Sequence, residues 1–387
     1  MSANKGILKE IAEYNWRFRM TPARKILLLL AGLCIVVAGY RLATGLGTST
    51  NLNDQWPWGL WIGFDVLTGV ALAGGGYFTA IVVHVLHRGK YHSIGRTAML
   101  TSLIGYILVM AGLFLDIGQW FNFWRPFVSW GHASVLFEVF WCVSCYTTVQ
   151  VLEFGEIMTE KVGTKYHDFF KKAMPVLLIV GIIFPTLHQS SLGGLYLIMV
   201  DKLYPLWWST LIPLFFLMSS FFVGPAMICF EGALAGKAYK HKVPIDVLRG
   251  LVRISGVIMV LYLGLKIFDL TSRGVLGMAF LGNVEGNLFL VEMIFGVIIP
   301  IIIAFTGLSA TRSGLLTFGV LVSAGVILNR MNVVFTGMAA SLGGWYFPSL
   351  MEWSVSIGLV AIGCLVYCFI AENFNIMEHD GHYERVS

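Results

Sequence analysis

Residues 58–86 read WGLWIGFDVLTGVALAGGGYFTAIVVHVL. The only carboxylate in this stretch is Asp65 and the only histidine is His84. A run of about 20 apolar residues crosses a bilayer core, and this one is longer. An ionisable group in hydrocarbon costs roughly 2.5–3.5 kcal/mol on insertion scales, so it must be paired, neutralised or turned to a cavity. The stretch therefore reads as a membrane helix with chemistry inside it.

The same pattern recurs on both sides. Apolar runs lie near 24–43, 58–86, 95–117, 132–156, 173–190, 206–235, 250–271, 287–307, 312–329 and 350–371. The predicted fold is an all-α integral membrane protein with ten transmembrane helices. Composition agrees: 57% of the 387 residues are hydrophobic and 12% charged, with a mean hydropathy of +0.78. A soluble domain carries about 25% charged residues. The net charge of +5 does not argue for nucleic acid, because its distribution follows the membrane. Twenty of the 26 basic residues fall in alternate segments, including both chain ends. The positive-inside rule then puts both termini in the cytoplasm. The expected organisation is a cytoplasmic segment 1–23, a membrane domain 24–371 and a cytoplasmic tail 372–387. No cleavable leader is evident. All six cysteines lie in predicted spans and read as small apolar packing groups.

Trp56, Trp58, Trp61, Trp120, Trp124, Trp130, Trp207, Trp208 and Trp345 cluster at the outer helix ends, as an interfacial aromatic belt does. They also offer a docking face. Gly74, Gly75 and Gly76 sit mid-span and read as a close helix contact rather than a phosphate loop.

A weak internal repeat is visible. Pro57 opens the second span and Pro205 the sixth, with His84 and Glu231 at similar distances beyond them. Asp116 and Glu138 in the first half match Asp269 and Glu292 in the second. The expectation is two four-helix bundles, about 58–190 and 206–329, related as parallel repeats, with the first and last spans outside.

Depth sorts the ionisable groups. Counting about 1.5 Å per residue from the outer ends of their spans, Asp65, Asp116, Glu138 and His188 come to a similar level. Four such groups in one apolar wall have the look of a small-molecule site. The second bundle reads as self-compensated: Lys266 and Asp269 are spaced i, i+3 on one helix, and Arg330 is placed to offset Glu292. On the inner side, His84, Glu153 and Glu231 are candidates for a proton path. No metal-binding motif is present. His132 and His188 are the histidines at matched depth, but no mid-helix pair of the kind that holds haem stands out.

Several strings carry a resemblance. PWGLWIGFDVLTGVALAGGGYF (57–78), SVLFEVFWC (134–142), PTLHQSSLGGL (185–195), PLWWS (205–209) and FEGAL (230–234) resemble the NrfD-like, polysulfide-reductase membrane-subunit family. The similarity is to its ten-span branch, which includes the membrane subunits of hydrogenase-2 and of high-molecular-weight cytochrome c complexes. It covers nearly the whole chain except the tail.

The resemblance implies a haem-free, quinone-reactive subunit of a respiratory complex in the bacterial inner membrane. A periplasmic iron–sulfur, ferredoxin-like subunit would exchange electrons with menaquinone or menaquinol on it. A hydrogenase or multihaem cytochrome c would complete the complex, and proton translocation would be coupled in some relatives. Joined to the depth argument, the expected quinone site is Trp61, Asp65, Asp116, Glu138, His188 and Gln189. Two other readings draw on the same buried charges: a proton or ion transporter without redox chemistry, and a structural anchor for electron-transfer subunits.

Overall fold

The computed structural model describes residues 13–56, 58–86, 88–239 and 244–376. Pro57, the N-terminal segment 1–12 and the tail 377–387 lie outside the described residues. Ten helices are long and apolar enough to cross a membrane, and no strand occurs among the described residues. They are α1 Pro22–Thr44, α2 Trp61–Val85, α3 Gly95–Asp116, α4 Val135–Thr159, α5 Thr164–Gly194, α6 Ile212–Ala238, α7 Ile245–Ser272, α8 Val284–Phe305, α9 Arg312–Leu342 and α10 Leu350–Asn373.

Local chemistry sets the ends. Thr21 accepts from the Arg24 amide ahead of Pro22, a favoured start for a helix. Ser349 and Glu352 form a reciprocal capping box at α10. Ser134 caps α4, so this helix begins at Val135, three residues beyond the start of its apolar run. The Arg24 guanidinium meets the Glu372 carboxylate at 2.6 Å, placing the beginning of α1 and the end of α10 on one face of the protein.

Packing puts α2 at the centre, against α3, α5, α6 and α9. Helix α4 pairs with α5, and α5 with α6. Helix α6 meets α7 and α9, and α8 meets the same two. Helices α1 and α10 pack along each other and both touch α3. The glycine triplet is a close contact, as expected. A Cβ on Gly76 would lie 2.6 Å from the Ser102 Cβ, and one on Gly224 would lie 3.0 Å from the Gly74 backbone. Small residues let membrane helices approach in this way.

Four segments are wound wider than an α-helix: Trp61–Thr68, Ile81–Val85, Ile294–Ile298 and Asn332–Thr336. Such turns leave carbonyls to be satisfied otherwise and recur at functional sites. Here the Thr68 hydroxyl donates to the Gly63 carbonyl at 2.9 Å. The first segment carries Asp65 and the second His84, and the third begins two residues after Glu292.

The tryptophan belt needs correction. Trp56, Trp61 and Trp207 are buried, and the Trp61 and Trp207 indoles are hydrogen-bonded in the interior. Trp124, Trp130 and Trp345 are exposed. A tryptophan placed at a helix end by sequence can turn inward when an acceptor waits there.

Candidate functional site

A cavity of about 630 Å³ runs between α1, α2, α3, α6 and α10. Its walls are mainly apolar, with Leu72, Leu108, Phe230 and Leu359 among them. Asp65 lies toward one end, and Arg24 and Glu372 lie at the other, on the face of the chain ends. Glu231 lines it between. Few polar groups in an apolar hollow of this size are the usual composition of a small-molecule site.

Asp65 and Glu231 are both held by hydroxyls. Ser356 of α10 donates to Asp65 Oδ2 at 2.6 Å. Gly112 of α3 packs so closely that a Cβ there would fall 2.7 Å from the Asp65 Cβ. Glu231 accepts from the Tyr367 hydroxyl at 2.6 Å and from the Thr101 hydroxyl. Hydroxyl donors satisfy a buried carboxyl group without a counter-charge, leaving each free to hold or release a proton.

The expected four-helix cluster divides. Asp65 faces α3 and α10, and Asp116 ends α3 with its Oδ1 buried and unpartnered. His188 is fully buried on another side, where its Nε2 lies 2.6 Å from the Tyr106 hydroxyl. Gln189 beside it donates to the Val70 carbonyl at 2.9 Å. Neither His188 nor Gln189 lines the large cavity. Glu138 is exposed, accepting from Ser191 at 2.7 Å. The cause is the late start of α4: Glu138 stands in its first turn, where a carboxylate suits the helix dipole. Trp61 does not line the cavity either; its indole donates to the Glu352 carbonyl at 3.2 Å and joins α2 to α10. The cavity thus lies between the expected bundles, beside α1 and α10, and not inside the first.

The inner candidates divide as well. His84 and Glu153 line a second cavity of about 240 Å³, with Glu156, Arg96 and Lys171. From there a polar chain enters the protein: Gln150 donates to Ser102 at 2.5 Å and to Tyr146 at 3.0 Å, and the Tyr146 ring stands 4.5 Å from Tyr106, the partner of His188. Glu231 belongs to the large cavity instead.

The pairings expected in the second bundle are replaced by others. Asp269 pairs with Arg273 at 2.7 Å and accepts from Ser209 at 2.7 Å, not from Lys266. The Lys266 ammonium lies over the Phe215 ring, 4.8 Å from its centroid. Glu292 accepts from Trp207 at 3.0 Å, Asn329 at 2.8 Å and Asn332 at 2.9 Å. Arg330 donates to Asn329 at 2.6 Å and Ser219 at 2.6 Å, with its guanidinium over Phe216. The Asn329 amide thus stands between Arg330 and Glu292.

Sequence reasoning missed Ser356, Thr101, Tyr367, Arg41 and Glu352. Arg41 and Glu352, charged and close to apolar runs, carried a signal; the hydroxyls carried none. Glu352 is buried, accepting the Asn51 amide at 3.0 Å and the Ser349 amide at 2.8 Å, besides the Tyr346 hydroxyl. Burial and the Glu352 carboxylate push the Tyr346 phenol above its ordinary value, so it remains a donor. Among the described residues no group of histidine, cysteine and carboxylate side chains is placed to hold a metal ion. The ring of His132 is exposed beside Trp130 and Phe137, whereas that of His188 is enclosed by Tyr106 and Tyr146.

Comparison with known proteins gives a consistent relationship. Residues 48–341 match the family described as polysulphide reductase, NrfD. The chain is 36% identical over 377 residues to a protein of Nitratidesulfovibrio vulgaris strain Hildenborough, covering 94% of this chain and 97% of that one. It is 33% identical over 344 residues to the probable Ni/Fe-hydrogenase 2 b-type cytochrome subunit of Escherichia coli K12, covering 87% of each. It is 29% identical over 371 residues to the menaquinone reductase integral membrane subunit of the same Nitratidesulfovibrio strain, covering 85% of each.

Proposed function

Because this chain belongs to the polysulphide reductase NrfD family, we propose that it is the quinone-reactive membrane subunit of a respiratory oxidoreductase. The observation that carries the reading is the elongated apolar cavity with Asp65 toward one end and Glu231 along its wall. Its volume of about 630 Å³ suits a ring and part of an isoprenoid tail. A menaquinone bound there would supply two-electron, two-proton redox chemistry.

The chain's own residues do the rest. Asp65, oriented by Ser356, exchanges a proton at the ring end. Leu72, Leu108, Phe230 and Leu359 hold the tail and exclude water. Glu231, between Thr101 and Tyr367, is a second proton-holding group along the wall. His84 and Glu153, with the chain through Gln150 and Tyr146 toward Tyr106 and His188, form a separate polar route suited to coupled proton movement.

On the positive-inside rule, the excess of basic residues in alternate segments of the sequence supports a cytoplasmic assignment for the face where α1 begins and α10 ends. Asp65 then lies toward the outside, where an iron–sulfur subunit, with a hydrogenase or multihaem cytochrome c behind it, would deliver or take electrons. The bacterial inner membrane is the corresponding location. The two-bundle reading, α2–α5 and α6–α9, assigns the quinone cavity to the seam between the halves.

The experiment is photolabelling of the purified complex with an azido-naphthoquinone. Label recovered on α2 or α10 near Asp65 and Ser356, and competed by menaquinone, supports the reading. Label confined to peptides away from this cavity overturns the site. A chain that isolates without redox partners and binds no quinone favours the transporter reading.

A further inference from the structure

One pair of polar groups near the cavity remains unsatisfied. Arg41, near the end of α1, is 0% exposed. Its Nε and Nη2 donate to the carbonyls of Leu115 and Ile117, both at 2.6 Å, so the guanidinium is clamped around the end of α3. Its Nη1 is buried and has no hydrogen-bond partner. The residue between those two carbonyls is Asp116, whose Oδ1 is also buried without a partner although the side chain is partly exposed. No ion pair closes between them, yet Asp116 lies within electrostatic reach of both Arg41 and Glu352, and Asp65 within reach of Asp116.

Helix geometry places Asp116 relative to the cavity. Asp65 rests on Gly112, with its Oδ2 3.9 Å from where a Gly112 Cβ would be. Asp116 is four residues farther along α3, on the same face and about 6 Å nearer the surface opposite the chain ends. A buried donor and a buried acceptor left open within electrostatic reach of one another are a setting for an ordered water. Two carboxyl groups one helical turn apart are within reach of such a bridge.

We propose that Asp116 connects Asp65 to solvent on the face opposite the chain ends, with Arg41 as a positioning residue that holds the bridging water. A proton taken from solvent at Asp116 passes through this water to Asp65, and Asp116 is reprotonated from outside; no electron moves in the step. The inference rests on the reading of Asp65 as the proton-exchange group at the quinone end.

The test uses the complete complex in liposomes, with its own electron partner and a soluble naphthoquinone as acceptor. Asp116→Asn is expected to assemble normally and to lower turnover about tenfold or more. It should also enlarge the solvent deuterium isotope effect, and millimolar acetate should restore part of the rate; a merely structural loss would show neither change. Arg41→Lys, which keeps the charge and loses the two-carbonyl clamp, is expected to move both readouts the same way by a smaller factor. Asp65→Asn separates the two ideas. If Asp65→Asn abolishes turnover while Asp116→Asn keeps the wild-type rate, or loses rate with no response to acetate or deuterium, the relay is overturned and the quinone reading stands. If Asp65→Asn keeps full turnover, both fall.

Discussion

Ser356 of α10 donates a 2.6 Å hydrogen bond to Asp65 of α2, although the two are 291 residues apart in sequence. The bond fixes the one carboxylate of the central helix at the edge of the large cavity.

That relationship gives the first prediction. Asp65→Asn keeps the size and an acceptor for Ser356 and removes the titrating group. Quinone-dependent turnover is expected to fall by about 100-fold or more, the usual scale for a positioned acid or base. Ser356→Ala leaves the carboxyl group but frees it, and a loss of about tenfold is expected from one such hydrogen bond. Steady-state assays on intact complexes, with subunit content checked by gel, measure both.

Glu292 is the hub of the second half of the protein, accepting from Trp207, Asn329 and Asn332. Glu292→Ala orphans two buried donors, Trp207 and Asn332, at about 1–3 kcal/mol each before relaxation, and the half-buried Asn329 amide. Expression and the thermal midpoint of the detergent-solubilised complex should drop sharply. Glu292→Gln keeps two acceptor lone pairs and should lose much less. Equal behaviour of the two variants would contradict the hub.

Lys266 tests the corrected pairing. Removing one member of a buried ion pair costs about 3–5 kcal/mol, because the other charge is left alone. Here the ammonium has two aromatic rings beside it and Asp269 is bonded to Arg273 and Ser209. Lys266→Met should therefore leave the thermal midpoint within a few degrees of wild type, or above it. A collapse on the scale of a broken buried pair would restore the Lys266–Asp269 assignment.

Glu138 supplies a negative prediction. It is exposed and has one hydroxyl donor, so Glu138→Ala is expected to change stability by no more than about 0.5 kcal/mol. Quinone turnover should stay at the wild-type level. A hundredfold loss would return Glu138 to the site.

The glycine contact between α2 and α6 gives the last. A side chain at position 224 would meet the Gly74 backbone at 3.0 Å, and backbone cannot move aside as a flexible side chain does. Gly224→Val is expected to prevent assembly, whereas Gly264→Val, with nothing within 4 Å of its Cβ position, should be tolerated. Blue-native gels of solubilised membranes distinguish the two.

Much of this protein was written in its order of residues. Ten spans follow from apolar length alone, because a bilayer core sets how long a helix must be. Apart from two, their ends were read to within about six residues. The exceptions have plain causes: α5 starts much earlier, through a charged stretch that hydropathy marks as loop, and α9 runs on to Leu342 through a wide turn. The glycine triplet announced a close contact, and the strings around Asp65 and His188 pointed to the family. Position along a helix axis follows from counting residues once the helix ends are known, and the late start of α4 moved Glu138 out of the expected level.

Direction around the axis was not. Asp65 and His188 were read at similar depth, yet one turns to Ser356 and the other to Tyr106, because neighbour positions depend on how ten helices pack. The wide turn at Trp61–Thr68 adds a local rotation that no regular periodicity anticipates. The ion pairs moved for two reasons: Asp269 reaches Arg273 one turn on, a local i, i+4 pair, whereas Glu292 is answered by amides from α9 that only packing brings to it. Length, apolarity and charge sign determined that this is a membrane protein with carboxylates inside. Only the tertiary packing decided that Asp65 and Glu231 share a cavity while His188 and Glu138 do not, because a side chain's partners are set by the helices that close around it.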